Sequence, residues 1–175
     1  MSNNHPDYPT ARRKLIMFLL DQGYKTNPNE VFCPTKRHCW VDVAALRGQD
    51  YWAFEYKSRN DSIRRGLEQC YAYANAFNYI VLVADRCRVT SSPYFRHFRR
   101  EGFGVWKHDG VRFEQILPPR RRATNRKAKA VIERQFRHIV PNFTDERNRP
   151  LSNWLELGLR DSVGRVQSGR LNGIA

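Results

Sequence analysis

Features of membrane-spanning and exported proteins are missing from this 175-residue sequence. No uninterrupted apolar run approaches the roughly 18 residues that a helix needs to cross a bilayer. The opening segment, residues 1–6, lacks the basic and apolar regions of a signal peptide. We therefore expect a cytoplasmic protein with no membrane partner.

Cysteine is scarce, and its spacing excludes the common metal and redox motifs. The four cysteines form no Cys-x-x-Cys pair, which removes the usual zinc-ribbon and thioredoxin-like patterns. Cys33, His38 and Cys39 lie close together in the sequence, but their spacing is poor for zinc and no fourth ligand accompanies them. We interpret the cysteines as buried thiols.

Acidic residues are few compared with basic ones. The chain has 17 Asp and Glu against 31 Lys and Arg, which gives a formal net charge of +14. Such an excess points to the kind of partner rather than to the fold. Phosphate polymers are favoured, because each phosphate that Lys or Arg neutralises releases a counterion. An anionic membrane surface is the alternative, but no basic helix has a bulky apolar face.

Enough apolar residues are present for a core, 41% of the chain, and they recur in strand and helix periods. The patterns predict helices over residues 12–22, 61–77 and 91–102. They predict strands over residues 30–33, 39–46, 51–57 and 79–84, and a hairpin over residues 103–116. A helix followed by a strand that is apolar on both faces is typical of a mixed α/β sheet.

The composition changes at Pro118 and Pro119, so we expect a domain of residues 1–118 and a basic, partly helical C-terminal extension of residues 119–175. Residues 120–138 hold eight basic side chains and one acid, half of the net charge. Their periodicity predicts a basic helix that grips a DNA backbone; a solvated helix or a protein contact is the alternative. The candidate phosphate contacts here are Arg120, Arg121, Arg122, Arg126, Lys127 and Lys129.

The central hairpin carries the candidate active site. Side chains alternate along a strand, so Glu55 and Lys57 share one face of its second strand. Three aromatic residues share the opposite face: Trp52, Phe54 and Tyr56. A tight turn at residues 48–49 sets Asp42 directly opposite Glu55, with their Cβ atoms about 4.5–5.5 Å apart.

Two opposed carboxylates repel each other and destabilise a sheet. A divalent cation removes that repulsion, because carboxylate oxygens are the ligands that Mg²⁺ prefers. Lys57 would stabilise charge that develops on a phosphate, or orient a water molecule, and Glu30 on the neighbouring strand is a further carboxylate. The alternative is an ordinary solvated strand face that carries Glu and Lys.

This order of elements resembles the PD-(D/E)xK nuclease superfamily, which includes restriction endonucleases, archaeal Holliday junction resolvases and RecB-like exonuclease domains. The resemblance covers about half of the chain, residues 10–90, with Val41 in place of the Pro of the superfamily's name. The matching segments are Trp40-Val41-Asp42-Val43, Ala53-Phe54-Glu55-Tyr56-Lys57 and, for the Gln-x-x-x-Tyr feature of RecB-like members, Gln69-Cys70-Tyr71-Ala72-Tyr73.

The resemblance implies a restriction-endonuclease-like fold, in which helices flank a mixed central β-sheet with an αβββαβ core. It implies that Asp42 and Glu55 ligate the metal, with the Tyr56 carbonyl as a third ligand. Lys57 would then be the catalytic lysine, and Gln69 would position the substrate or a metal-bound water.

Other positions near this site are lesser candidates. By the resemblance, Glu30 matches an acid on the first strand of such domains. The early helix carries no well-placed acid, since Asp21 lies near its end, which departs from the junction resolvases. The candidate DNA contacts on and before the second helix are Arg59, Arg64, Arg65 and Tyr73.

The sequence thus predicts a Mg²⁺-dependent deoxyribonuclease, with Mn²⁺ able to substitute, that hydrolyses phosphodiester bonds in DNA. The resemblance implies ends with a 5′-phosphate and a 3′-hydroxyl, and it allows a homodimer because two DNA strands need two active sites. One alternative is a nuclease-fold protein that binds nucleic acid without cleaving it. The other is a structural or assembly protein with a basic tail.

Overall fold

The computed structural model describes residues 8–34, 39–85 and 88–137. Its helices are α1 (Tyr8–Asp21), α2 (Ile63–Tyr73), α3 (Phe95–Glu101) and α4 (Arg126–Arg137). Its strands are β1 (Lys25–Thr26), β2 (Val31–Cys33), β3 (Cys39–Val41), β4 (Val43–Arg47), β5 (Asp50–Lys57), β6 (Tyr79–Asp85), β7 (Gly104–His108) and β8 (Phe113–Leu117). Within these ranges, no helix has both the length and the apolar character needed to cross a membrane.

Six strands form one mixed sheet in the order β1-β4-β5-β6-β7-β8. The central strands β5, β6 and β7 run parallel to one another, and antiparallel strands flank them on both sides. Parallel neighbours need a long crossover between them, which the segments containing α2 and α3 supply. The mixed α/β class expected from the sequence is confirmed.

The two faces of this sheet bury separate apolar clusters. On one face, Leu15 and Leu19 of α1 are fully buried against a set that includes Phe54. On the other face, Leu67 of α2 and Ile132 of α4 belong to the larger cluster. Strand β5 lies between the two clusters and contributes side chains to both.

The central hairpin has the register that the sequence predicts. Arg47 pairs with Asp50, and the ladder continues to Val43 opposite Phe54. Gly48 adopts a φ of 61°, the left-handed conformation that a two-residue hairpin turn requires and that glycine adopts most easily. The side chain of Phe54 therefore lies on the α1 side of the sheet, and the side chains of Ala53 and Glu55 lie on the α2 side.

The expected single strand over residues 39–46 is wrong, because a bend at Asp42 divides it into β3 and β4. Strand β3 pairs with β2 in a separate two-stranded sheet, while β4 belongs to the six-stranded sheet. The backbone N–H of Tyr56 donates to Asp42 Oδ2 at 2.7 Å, so a side chain takes the place of a backbone acceptor. Asp42 therefore lies at the bend rather than in a ladder position opposite Glu55.

The basic helix α4 packs on the same compact unit as the sheet, a unit that ends at residue 138. Ile132 and Phe136 are 0% and 3% exposed. The Gln135 side chain accepts from the Phe32 N–H at 2.9 Å and donates to its carbonyl at 2.8 Å. Helix α4, which follows the expected boundary at residues 118 and 119, thus contributes side chains to the apolar core. The part of the expected extension over residues 138–175 lies outside the described residues.

Candidate active site

Glu55 is the most deeply buried charged group of the site, with 1% of its surface exposed. Its Oε1 lies 2.5 Å from Lys57 Nζ, and its Oε2 lies 2.5 Å from the Tyr73 hydroxyl. Burial and then the charge of Asp42 raise the pKa of Glu55 to about 7, against the opposing effects of Lys57 and Tyr73. The carboxylate is therefore near its titration point at neutral pH.

Lys57 reaches Glu55 along the surface of α2. Only 8% of the residue is exposed, and its stem crosses the helix at Gly66. A Cβ atom added at Gly66 would lie 3.2 Å from Lys57 Cγ, 3.3 Å from Lys57 Cε and 2.7 Å from Leu82 Cδ1. Glycine inside a helix is unfavourable by roughly 0.5–1 kcal/mol. Here its missing side chain is what lets the lysine pass.

Asp42 lies at the bend beside this pair, with both carboxylate oxygens occupied by donors. Oδ2 accepts from the Tyr56 N–H at 2.7 Å, and Oδ1 accepts from the Tyr8 hydroxyl at 2.8 Å. Burial raises the pKa of Asp42 overall, although those two hydrogen bonds and the charge of Lys57 oppose the rise. The half-buried Asp42 carboxylate thus helps to raise the pKa of the buried Glu55 carboxylate, with the Lys57 ammonium group beside them.

Helix α1 contributes two residues that the sequence analysis missed. The Tyr8 hydroxyl lies between Asp42 Oδ1 and Glu30 Oε1, 2.8 Å from the first and 3.0 Å from the second. Arg12 Nε donates to the carbonyl of Asp42 at 2.7 Å, and its Nη2 donates to the carbonyl of Pro28 at 2.8 Å. The helix was expected to begin at Arg12. The i, i+4 spacing of Tyr8 and Arg12, which places them on one helix face, was the available signal.

Glu30 is exposed and immediately precedes β2. Among the described residues, no group of three or more His, Cys, Asp or Glu side chains is arranged to hold a metal ion. Glu30 is therefore linked to Asp42 through the Tyr8 hydroxyl rather than joined to it in a three-carboxylate cluster. The carboxylate pair of the site consists of Asp42 and Glu55.

Helix α2 carries two further expected site residues, Gln69 and Tyr73. Oε1 of Gln69 is buried and has no hydrogen-bond partner among the described residues. Tyr73 was expected to line the DNA path as a candidate contact, but it is fully buried. Its hydroxyl lies 2.5 Å from Glu55 Oε2 and 2.9 Å from the Trp40 carbonyl oxygen. Tyr73 therefore shapes the carboxylate's surroundings instead of offering a surface.

The expected DNA contacts around α2 are exposed. Arg59, Arg64 and Arg65 all lie at the surface. Arg64 Nε is 3.1 Å from Glu68 Oε1, but both side chains are more than half exposed, so water screens the pair. These guanidinium groups remain accessible to a phosphate.

Three of the expected contacts before α4 are tied to their own chain. Arg120 donates to two carbonyl oxygens at the C-terminal end of α3, at 3.2 and 2.6 Å. Arg121 forms a bidentate pair with Asp50 at 2.9–3.1 Å. Arg122 donates to the Glu101 carbonyl at 2.5 Å, with its guanidinium over the Phe103 ring. The sequence predicted that these three arginines carry charge, but it did not predict that they bind groups of their own chain.

The expected contacts on α4 itself differ from these arginines. Arg126 and Lys127 are exposed on its first turn. Lys129 is half-buried, with its ammonium 5.7 Å from the centre of the Tyr51 ring and 3.9 Å from Glu133 Oε1. Arg126 and Lys127 are thus the more accessible candidates for a phosphate.

Three cysteines lie within the described residues, and none of the three belongs to a disulfide: Cys33, Cys39 and Cys70. Cys33 and Cys70 are buried, as expected, and Cys39 is partly exposed. Cys87 and His38 lie outside the described residues. A hydrogen bond with Cys39 and then burial raise the pKa of Cys33 far above its ordinary value, so it is a thiol at neutral pH.

No protein-family model matches the chain, and no curated protein matches its sequence. A solved structure of a protein of unknown function from Silicibacter pomeroyi is similar, with a TM-score of 0.54 and 17% identity over 79% of this chain and 92% of that one. An FdxN element excision controlling factor protein from Anabaena variabilis has a TM-score of 0.46 and 15% identity, over 59% of this chain and 96% of the other. The first likeness shows a shared fold alone.

Proposed function

We propose that this chain is a metal-dependent DNA nuclease with a restriction-endonuclease-like fold of the PD-(D/E)xK type. The observation that carries the proposal is the group formed by buried Glu55 and Lys57 of β5 and half-buried Asp42 at the neighbouring bend. Their order and spacing match that superfamily's motif. Placing one buried and one half-buried carboxylate beside a single lysine is unfavourable for stability alone, which argues that the arrangement serves chemistry.

The donor set fits a Mg²⁺ ion held partly by substrate and water. Mg²⁺ is commonly bound by one or two carboxylates together with water and phosphate oxygens, so a third carboxylate is not needed. Asp42 and Glu55 would hold the ion, with the Tyr56 carbonyl as a further oxygen. The buried, unpartnered Oε1 of Gln69 would accept a hydrogen bond from an ion-bound water. Mn²⁺ prefers similar oxygen ligands.

The metal, when bound, would polarise the phosphodiester and lower the pKa of a water molecule. The chain's own residues supply the rest. Lys57 would contribute a positive charge in a site where little water screens it, and that charge would favour the phosphate as negative charge develops on it. Tyr73 fixes the orientation of Glu55 through its hydroxyl, while Tyr8 and Arg12 hold Asp42.

A nuclease-fold protein that binds nucleic acid without cleaving it is the second candidate. Both oxygens of Glu55 already accept hydrogen bonds from protein groups, Lys57 and Tyr73. A carboxylate satisfied in this way does not require an ion. Accessible basic residues on α4 would serve such a protein equally well.

Cleavage assays separate the two candidates. The protein is incubated with plasmid, linear, single-stranded and branched DNA in Mg²⁺ or Mn²⁺, and then with a chelator. We expect metal-dependent cleavage that falls by at least about 100-fold in Asp42→Asn and in Lys57→Met, with DNA binding retained. Asp21→Asn, an exposed aspartate on α1, is the matched control and should cleave normally.

Two outcomes count against the proposal. Equal cleavage by Lys57→Met and the unchanged protein would rule out the assigned lysine chemistry. Salt-dependent DNA binding without cleavage in either metal would favour the non-catalytic candidate.

A further inference from the structure

The β2–β3 hairpin exposes an aromatic pair on the face that points away from the core. Val31, Cys33 and Val41 are fully buried on the inner face. Phe32 and Trp40 are paired across the two strands on the outer face, with ring centroids 5.6 Å apart. Trp40 is 55% exposed, the most exposed aromatic side chain among the described residues. A large aromatic surface thus stands open to solvent.

This aromatic pair is directly connected to the carboxylate site. The Trp40 carbonyl oxygen lies 2.9 Å from the Tyr73 hydroxyl, which in turn lies 2.5 Å from Glu55 Oε2. Asp42 follows Trp40 by two residues, roughly 7 Å along the chain at the rise of a strand. The backbone that carries the exposed Trp40 ring is therefore joined to the surroundings of Glu55 by a hydrogen bond and precedes Asp42 by two residues.

The other edge of the hairpin is joined to the basic helix. Gln135 of α4 makes both backbone hydrogen bonds of Phe32, as a neighbouring strand would. Five basic residues lie on that helix: Arg126, Lys127, Lys129, Arg134 and Arg137. The hairpin that carries the aromatic pair is thus hydrogen-bonded to the carboxylate site through Tyr73 and to the basic helix through Gln135.

We propose that Trp40 is a stacking platform for an unpaired base of the DNA substrate, with Phe32 supporting its ring. The inference rests on the proposed nuclease function and narrows its substrate to single-stranded or locally unpaired DNA. Every base offers a flat face to an indole, so such a contact is tolerant of sequence. In an intact duplex those faces are covered by neighbouring base pairs. The excess positive charge of the chain, +14, suits the accompanying phosphates.

Binding measured in a chelator tests this contact without any cleavage. The probes are a fluorescently labelled oligothymidylate and a blunt duplex of the same length. We expect Trp40→Ala to weaken binding of the single strand by about tenfold, which corresponds to about 1.4 kcal/mol. Duplex binding, which depends on phosphate contacts, should change by less than about twofold. Trp40→Phe keeps a stacking ring and should restore most of the affinity.

Tyr71→Ala provides the matched control, because Tyr71 is also an exposed aromatic residue, 41% accessible on α2, but packs against Phe103. It should leave single-strand affinity unchanged. An equal loss for single strand and duplex in Trp40→Ala, or no loss at all, would overturn the stacking proposal. So would a change from dimer to monomer in sedimentation with unaltered affinity, since Trp40 would then contact a second copy.

Failure of the proposed hydrolysis gives a different result. If the protein never cleaves DNA but Trp40→Ala selectively weakens single-strand binding, the stacking proposal stands and the nuclease proposal fails. If cleavage depends on Asp42 and Lys57 but Trp40→Ala does not change single-strand binding, the nuclease proposal stands and the stacking proposal fails.

Discussion

Strand β5 presents its alternate residues to two different environments. On the α1 side, Phe54 is fully buried among aromatic rings, with the Trp106 ring centroid at 5.2 Å. On the α2 side, Glu55 and Lys57 are almost as buried but carry opposite charges. Apolar burial is favourable for folding, whereas taking charges out of water is unfavourable unless excellent geometry offsets the loss.

Burial therefore serves different purposes on the two faces of β5. The α1 face stabilises the sheet. The α2 face holds groups whose pKa values are displaced, notably Glu55 at about 7, and displaced pKa values cluster at functional sites. Substitutions should therefore separate the two faces, since those on one lower stability and those on the other change chemistry.

Replacing Phe54 by Ala should produce the largest loss of stability. The fully buried ring would leave a cavity, and we expect the free energy of unfolding to fall by about 3–5 kcal/mol. Urea denaturation followed by circular dichroism measures the change. Cleavage per folded molecule should persist, because Phe54 points away from the carboxylates.

Tyr56→Phe is the control on the same face, since it keeps the ring and removes a hydroxyl that lies 3.3 Å from His108 Nδ1. It should lower stability by only about 1 kcal/mol. A loss below that value for Phe54→Ala would contradict the assignment of this face to stability.

Glu55 should give the opposite face a distinctive pH dependence. Its folded pKa of about 7 exceeds the ordinary value of 4.5, so the folded protein holds this proton more tightly than the unfolded chain does. Stability should therefore fall as the pH rises from about 4.5 to about 7, by about 3 kcal/mol from this group. The raised pKa of Asp42 acts in the same direction.

Comparison with Glu55→Gln isolates that effect, because other titrating groups are common to both proteins. In a chelator, the variant should gain about 3 kcal/mol relative to the unchanged protein between pH 4.5 and about 8. A stability difference that does not vary with pH would show that burial does not hold the Glu55 proton. Cleavage by the variant should be lost at every pH.

The hairpin register was predictable because its turn and strand alternation are local properties of residues 47–57. The division of the chain at Asp42 was not, since it depends on the N–H of Tyr56, which is distant in sequence. Tyr8 and Arg12 approach the site through tertiary packing, which periodicity does not specify. Arg121 illustrates the same limit, because its charge is evident in the sequence but its pairing with Asp50 requires the fold.

Gly66→Ala should produce the smallest change in stability while still affecting the α2 face. Alanine favours the helix by roughly 0.5–1 kcal/mol, but its methyl group would press on Leu82 and Lys57 at the distances given above, an overpacking loss of about 1–3 kcal/mol. The net loss should be about 1 kcal/mol. Cleavage should fall by roughly tenfold, because Lys57 is displaced from its position beside Glu55.

The control for this substitution is Arg65→Ala, the adjacent and exposed position on α2. It alters helix propensity little and its side chain is exposed, so kcat should remain close to normal even if DNA affinity weakens. A Gly66→Ala protein with unchanged kcat would mean that Lys57 tolerates movement, and its role would then be to balance the charge of Glu55. The α2 face would in that case resemble the α1 face in serving stability first.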